Sequence, residues 1–69
     1  MDIKWEDGFE IRVDARGGEV TVSANRAGLI SLANILYGLA EELPGAHVHL
    51  DELNSLEDGS CELILECAE

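Results

Sequence analysis

Two histidines placed one residue apart are the side chains of this sequence with the clearest potential for chemistry. His47 and His49 fall in an alternating run, and residues i and i+2 of a strand project from the same face of a sheet. Two imidazoles on one face can chelate a metal ion, although a catalytic zinc site commonly has three protein ligands and an open position. Asp51 is about 13 Å of strand from His47 at ~3.3 Å per residue, so Glu62 or Glu66 of a neighbouring strand would serve better. Metal binding by His47 and His49 is therefore the alternative to a pair of ordinary surface histidines.

Other catalytic chemistry finds little support in the sequence. Cys61 and Cys67 are expected to face inward, and no spacing of a serine, a histidine and an acid indicates a nucleophile with its base. Carboxylates are abundant, but an acid–base pair needs a cleft that desolvates one of them. A chain of 69 residues with one helix offers little cleft. We therefore predict no catalytic residue, no cofactor and no enzyme activity.

The two cysteines are not expected to form a disulfide. Cys61 and Cys67 lie in one strand-like run, which separates their Cα atoms by about 20 Å at ~3.3 Å per residue. A disulfide needs about 4.4–6.8 Å between them. We interpret both as small buried apolar groups in a reducing compartment. Because no apolar run is long enough to span a membrane and the N-terminus lacks a signal pattern, the sequence predicts a cytoplasmic protein.

The charge of the chain is strongly negative and unevenly distributed. It has 15 acidic and 4 basic residues and a formal charge of −11. The basic residues are Lys4, Arg12, Arg16 and Arg26, and residues 27–69 contain no lysine or arginine. Such a chain repels nucleic acid and anionic membranes, because phosphate binding depends on lysine and arginine. The acidity indicates either a cationic partner or simply a solubilising surface.

One amphipathic helix organises the rest of the chain. Its apolar stripe, with members three and four residues apart, consists of Leu29, Leu32, Ala33, Leu36, Leu39, Ala40 and Leu43. Asn25 can cap its start with a side-chain oxygen, and Pro44-Gly45 ends it. Leu36 is expected in the buried face and Tyr37 on the opposite side.

Strands with a period of two precede and follow the helix. Alternation predicts strands over 9–15, 19–24, 47–51 and 61–67, with an extra edge strand suggested within 1–8. Two glycines in the sequence Arg16-Gly17-Gly18-Glu19 indicate a tight hairpin turn between the first two of these strands, 9–15 and 19–24.

The order of these elements is ββαββ, which predicts an α+β fold. We expect a single domain over residues 1–69 with its core in about 9–67. In two layers, the helix would pack on one face of a mostly antiparallel sheet, with Val20, Val22 and Ala24 facing it. The order of the strands stays open. The other face would be bare and would show Glu10, Arg12, Asp14, Thr21, Ser23, His47, His49, Asp51, Glu62, Ile64 and Glu66.

Three blocks of the chain resemble the bacterial Immunity protein thirty-two family. They are Asn25-Arg26-Ala27-Gly28-Leu29 with Ser31-Leu32-Ala33-Asn34, then Pro44-Gly45-Ala46-His47-Val48-His49-Leu50-Asp51, then Gly59-Ser60-Cys61-Glu62-Leu63-Ile64-Leu65-Glu66. The resemblance covers about residues 19–67, and the His-x-His-Leu-Asp block is its most specific part. It implies a protein that protects a bacterial cell by binding a cognate polymorphic toxin, without catalysis or cofactor.

The bare face and the resemblance together predict a partner-binding surface. Its residues would be His47, His49, Asp51, Glu62 and Glu66. An acidic surface is what a blocker of a cationic toxin would present. The alternatives are a small metal-binding or metal-dependent enzyme domain using His47 and His49, and a homodimeric module that pairs through the open sheet face or a sheet edge.

Overall fold

Residues 1–68, which the computed structural model describes, contain four strands and one helix. In chain order the elements are β1 (Ile11–Arg16), β2 (Glu19–Ala24), α1 (Arg26–Ala40), β3 (His47–Leu50) and β4 (Leu63–Glu66). β1 pairs with β2 and β3 pairs with β4, both antiparallel. The α+β class is confirmed, but the pairs form two separate two-stranded sheets instead of one sheet.

A segment without regular structure joins the two sheets. Glu57 and Cys61 donate their backbone N–H groups to the carbonyl oxygens of Ile11 and Val13, at 2.9 Å each. They therefore run along the edge of β1 that β2 leaves free. Gly59, between them, has a positive φ of 88°. This turn breaks the regular spacing that a ladder requires, which explains why β4 belongs to a sheet of its own.

The hairpin turn between β1 and β2 forms as the two glycines predict. Gly17 and Gly18 have φ values of 53° and 85°, and a two-residue turn of this kind needs positive φ at both central positions. The turn fixes a register in which Arg16 pairs with Glu19. The predicted second strand, residues 19–24, is observed with the same bounds.

Asn25 caps the helix and also ties it to the start of β1. Its side-chain Oδ1 accepts hydrogen bonds from the backbone N–H groups of Gly28 at 2.8 Å and Glu10 at 3.1 Å. Its Nδ2 donates to the carbonyl oxygen of Gly8 at 2.9 Å. The predicted cap is confirmed, and it has a second role in orienting the incoming chain.

The helix ends earlier than its apolar pattern indicates. It stops at Ala40, and the N–H of Glu41 bonds to the carbonyl oxygen of Gly38 at 3.1 Å, which tightens the last turn. Leu43 lies outside it because the residue before Pro44 is biased away from helical backbone angles. No helix in the described part of the chain is long and apolar enough to cross a bilayer.

The buried face of α1 differs from the predicted one. Its buried residues are Gly28, Ser31, Ile35 and Leu39. Ile35 is 0 % exposed, whereas Leu36 is 53 % exposed and Leu29 is 54 % exposed. Of the predicted stripe only Leu39 is fully buried, so the expectation for Leu36 is wrong, while Tyr37 is exposed as expected.

The N-terminal segment, residues 1–10, explains this rotation. Ser31 is fully buried, and its Oγ accepts a hydrogen bond from the N–H of Glu6 at 2.8 Å. One turn further, Asn34 Nδ2 donates to the carbonyl oxygen of Lys4 at 2.8 Å. These polar contacts draw the helix over the segment and turn the predicted stripe partly towards solvent. The structure has no strand in residues 1–8, where alternation suggested one.

The core combines both sheets, the helix and the loop before β4. Its buried apolar members are Ile11, Val13, Ile35, Leu39, Leu50 and Leu56. Val20 and Val22, expected to face the helix from within the core, are 65 % and 39 % exposed. The apolar face of β2 is therefore left partly open. Leu56 takes a place in the core although it lies outside any strand.

Both cysteines are free, but they are less buried than expected. Cys61 is exposed and Cys67 is half-buried. β4 begins only at Leu63, so the inward alternation of the strand does not extend back to Cys61. Ser60, its neighbour, is the buried residue here, and its Oγ accepts a hydrogen bond from the N–H of Val13 at 3.1 Å.

Replacing Ile35 by alanine should lower the free energy of unfolding by about 2–5 kcal/mol, because a buried aliphatic side chain leaves a cavity. Leu36→Ala is the matched control, and its cost should be less than half as large because the side chain is already half in water. Urea denaturation followed by circular dichroism measures both. A larger loss for Leu36→Ala would contradict the observed orientation of the helix.

The two glycines of α1 should respond oppositely to alanine. A Cβ at position 28 would lie 2.5 Å from the carbonyl oxygen of Glu10, whereas at position 38 the nearest atom is the flexible Met1 sulfur at 2.8 Å. Alanine gains up to about 1 kcal/mol over glycine in a helix interior. Gly38→Ala should therefore be neutral or stabilising, and Gly28→Ala should destabilise by about 1–3 kcal/mol through overpacking. Thermal melts that rank the two variants the other way would contradict the close approach of α1 to β1.

Candidate functional site

The outer side of the β3–β4 sheet carries the residues that the sequence indicates as a site. In the register of this pair, His47 lies opposite Glu66 and His49 lies opposite Ile64. All four are exposed. Glu62, just before β4, is also exposed and reaches His49. We call the set His47, His49, Glu62, Ile64 and Glu66 the β3–β4 outer face.

The two imidazoles are held in defined orientations. His47 Nδ1 lies 3.0 Å from the carbonyl oxygen of Gly45, and His49 Nδ1 lies 3.2 Å from Glu62 Oε2. The ring centroids are 5.0 Å apart in an edge-to-face arrangement. Since carbonyl and carboxylate oxygens accept hydrogen bonds, each Nδ1 carries the hydrogen. In the neutral rings each Nε2 is then an acceptor.

Asp51 has a structural part in the turn that follows β3. Its Oδ1 accepts hydrogen bonds from the N–H groups of Leu53 at 2.9 Å and Asn54 at 3.1 Å. In return, the Oδ1 of Asn54 accepts a hydrogen bond from the N–H of Asp51 at 3.0 Å. The Nδ2 of Asn54 donates to the carbonyl oxygen of His49 at 3.0 Å. Asp51 is half-buried, and its carboxylate is engaged in the turn, unlike those of Glu62 and Glu66.

In the part of the chain that the structure describes, the fold brings no third metal ligand to the histidine pair. Within residues 1–68, no three histidine, cysteine, aspartate or glutamate side chains are grouped in a way that could hold a metal ion. Both Nδ1 atoms already have oxygen partners. What the arrangement offers chemically is a set of hydrogen-bond acceptors, namely two imidazole Nε2 atoms and two exposed carboxylates.

The family assignment follows from the same stretch of chain. A model of the family described as Immunity protein 32 matches residues 19–68, which is well over half of the chain. The chain belongs to the Immunity protein 32 family. No curated protein and no solved structure matches it. The family match begins at β2 and includes α1 and the whole β3–β4 outer face, and it confirms the resemblance seen in the three sequence blocks.

The negative charge around the β3–β4 outer face is almost unopposed by positive side chains. Residues 27–69 have no lysine or arginine. Across residues 1–68, the one close approach between an acidic and a potentially cationic side chain is that of His49 and Glu62. Arg12 comes near this half of the molecule, but it donates to the backbone carbonyl of Asp58 at 2.8 Å. The β3–β4 side therefore carries a negative field.

A second surface, which the sequence patterns did not predict, lies beside the helix. An apolar groove of about 400 Å³ is lined by Val22, Leu29, Leu32, Ala33, Leu36, Leu63 and Leu65. The groove opens because α1 packs towards the N-terminal segment, which lies on the opposite side of the helix from the groove. One sequence signal could have revealed it: residues 27–40 contain no charged side chain, so the solvent side of α1 is as apolar as its buried side.

Salt should stabilise this protein. The carboxylates repel one another, and added salt screens the repulsion with a Debye length of about 8 Å at 0.15 M ionic strength. We expect the melting temperature to rise from low to moderate salt, measured by scanning calorimetry in sodium chloride. A melting temperature that stays flat or falls would mean that the acidic groups are compensated locally.

Proposed function

We propose that this protein neutralises a cognate bacterial toxin by binding it directly, without catalysis and without a cofactor. The observation that carries the proposal is the Immunity protein 32 match over residues 19–68, which contains every residue of the β3–β4 outer face. The proposal places the protein in the cytoplasm, where reducing conditions keep thiols free, as they are in Cys61 and Cys67.

The contact surface is the β3–β4 outer face, and the toxin offers it cationic side chains. Two properties of the face support this. The face displays acceptors, through the Nε2 atoms of His47 and His49 and the carboxylates of Glu62 and Glu66, so a donor-rich partner complements it. Its negative field also accelerates encounter with a positively charged surface.

The parts of the face differ in their expected contribution to binding. Exposed carboxylates such as Glu62 and Glu66 act at a distance and mainly raise the association rate. The imidazoles are oriented by Gly45 and by Glu62, so little rotamer freedom remains to be lost when a partner covers them. They should act mainly on the dissociation rate. Asp51 contributes indirectly, because it fixes the turn that leads out of β3.

Reversing Glu62 and Glu66 to lysine should slow association with the toxin. The partner is the toxin encoded beside this protein's gene, and biolayer interferometry measures both rates at low and high salt. The loss should appear largely in the association rate and shrink as salt screens the charges, with a smaller rise in the dissociation rate because Glu62 also orients His49. Circular dichroism should show an intact fold, since surface substitutions usually change stability by less than about 0.5 kcal/mol.

A matched control separates the face from the overall charge. Asp2 and Asp7 are exposed and lie outside the β3–β4 outer face, and reversing both to lysine changes the net charge by the same amount. This variant should bind nearly as the natural protein does. Equal slowing in the two double variants would mean that net charge acts alone and would reject the face as the contact.

Replacing both His47 and His49 by alanine should speed dissociation of the toxin. The double variant would lose oriented acceptors without a change of formal charge. The competing explanation is that the histidines only support the loop over residues 52–60. Hydrogen exchange of that loop distinguishes the two: a disordered loop with full affinity for the toxin would give the histidines a structural role only.

A further inference from the structure

The outer edge of β2 is an open strand edge. Ile11 and Val13 direct their carbonyl oxygens away from β2, towards the segment at Glu57 and Cys61. Bonding alternates along an antiparallel strand, so the residues paired with Ile11 and Val13 turn their own backbone groups away from β1. Val22 is the partner of Val13, and Val20, two residues before it, has the same orientation. In the chain up to residue 68, no backbone group of residues 19–23 bonds outside the hairpin.

This edge lacks the features that usually prevent pairing with another strand. Residues 19–23 are all exposed, and the register with β1 runs without a bulge. Val20, Thr21 and Val22 are β-branched residues that favour extended backbone. Edge strands are commonly protected by lysine, proline or a bulge. The sequence of β2 contains no lysine and no proline, and its one charged residue is Glu19 at its start.

The hairpin is also the part of the chain where a second copy meets the least repulsion. Two chains that each carry a charge of −11 repel one another over most of their surfaces. Residues 11–24 contain two arginines and two acidic residues, Arg12, Arg16, Asp14 and Glu19, so this segment is neutral. The open β2 edge is therefore the place where self-association costs least.

We propose that the open edge of β2 pairs antiparallel with β2 of a second copy to form a symmetric dimer. The two-fold axis passes beside Thr21, which places Val20 of each copy opposite Val22 of the other. Each such pair exchanges two backbone hydrogen bonds. Glu19 lies opposite Ser23 of the second copy, so no like charges face each other across the axis.

The dimer covers apolar surface that the single chain leaves open. Val20 and Val22 are 65 % and 39 % exposed, and Val22 also lines the groove beside the helix. In the proposed register these valines pack against their counterparts across the axis. The β1–β2 sheet becomes a four-stranded sheet, and the groove of each copy opens next to the joined strands. The β3–β4 outer face takes no part, so toxin binding and dimer formation are separate properties.

Sedimentation velocity of the full chain is the first test. At tens of micromolar concentration the protein should sediment as a dimer, with twice the chain mass of 7.5 kDa. Val22→Lys should convert it to the monomer, because two charges would be brought into the joined apolar face. Ile64→Lys is the matched control, since Ile64 is a similarly exposed strand residue on the β3–β4 outer face, and it should stay dimeric.

Each result has a defined meaning. A natural protein that sediments as a monomer at these concentrations would overturn the proposal, including the case in which β2 pairs only with an extended strand of the toxin. A dimer that Ile64→Lys dissociates while Val22→Lys does not would place the interface elsewhere. Circular dichroism melts confirm that each variant is folded before its mass is interpreted.

Disulfide trapping tests the register itself. In a background with Cys61→Ser and Cys67→Ser, Thr21→Cys should form a covalent dimer under mild oxidation. The two Thr21 Cα atoms would be about 4.5 Å apart in a non-hydrogen-bonded pair, within the range for a disulfide. Ser23→Cys is the control, because its two copies would be about 14 Å apart along the strands at ~3.4 Å per residue. Trapping of both variants at equal rates would reject the proposed register.

Discussion

The arrangement of this fold depends on the polar contacts between α1 and the N-terminal segment. Asn25 caps the helix, Ser31 and Asn34 lie one turn apart on it, and each of the three bonds to the backbone of residues 4–10. Ser31 is the buried one of the three, and a buried polar group without a partner costs about 1–3 kcal/mol. The helix therefore cannot rotate to bury its full leucine stripe without breaking these bonds. The exposure of Leu29 and Leu36, and the groove beside them, follow from this constraint.

The sequence predicted what depends on local patterns. The α+β class, the cap at Asn25, the glycine turn and the bounds of β2 were all accessible, because each follows from spacing or from the backbone angles of single residues. The orientation of α1 was not accessible in this way. Gly28 and Ser31 form part of its buried face. Neither adds a side chain to an apolar stripe, so the stripe defined by apolar residues was centred about one residue's rotation away from the buried face.

The candidate site was likewise predicted only as far as local patterns reach. Alternation placed His47 and His49 on one face, and the structure adds what spacing cannot supply, namely the contact of His49 with Glu62 and the engagement of Asp51 in the following turn. The two surfaces of the molecule differ in their physical character. The β3–β4 side is acidic and rich in acceptors, whereas the hairpin side is neutral and apolar. A small chain can in this way present two surfaces that attract different kinds of partner.

The contacts of β1 with the segment before β4 have a consequence for the timing of folding. Val13 and Ser60 are separated by 47 positions in the chain and bond in the core. A ribosome synthesises chains from the N-terminus, at about 5–20 residues per second, so the hairpin emerges well before the residues that complete its sheet. Until then β1 and β2 would each have an open edge in the nascent chain. The native core thus closes only late in synthesis, and the hairpin passes through a period in which chaperones or neighbouring nascent chains can reach both of its edges.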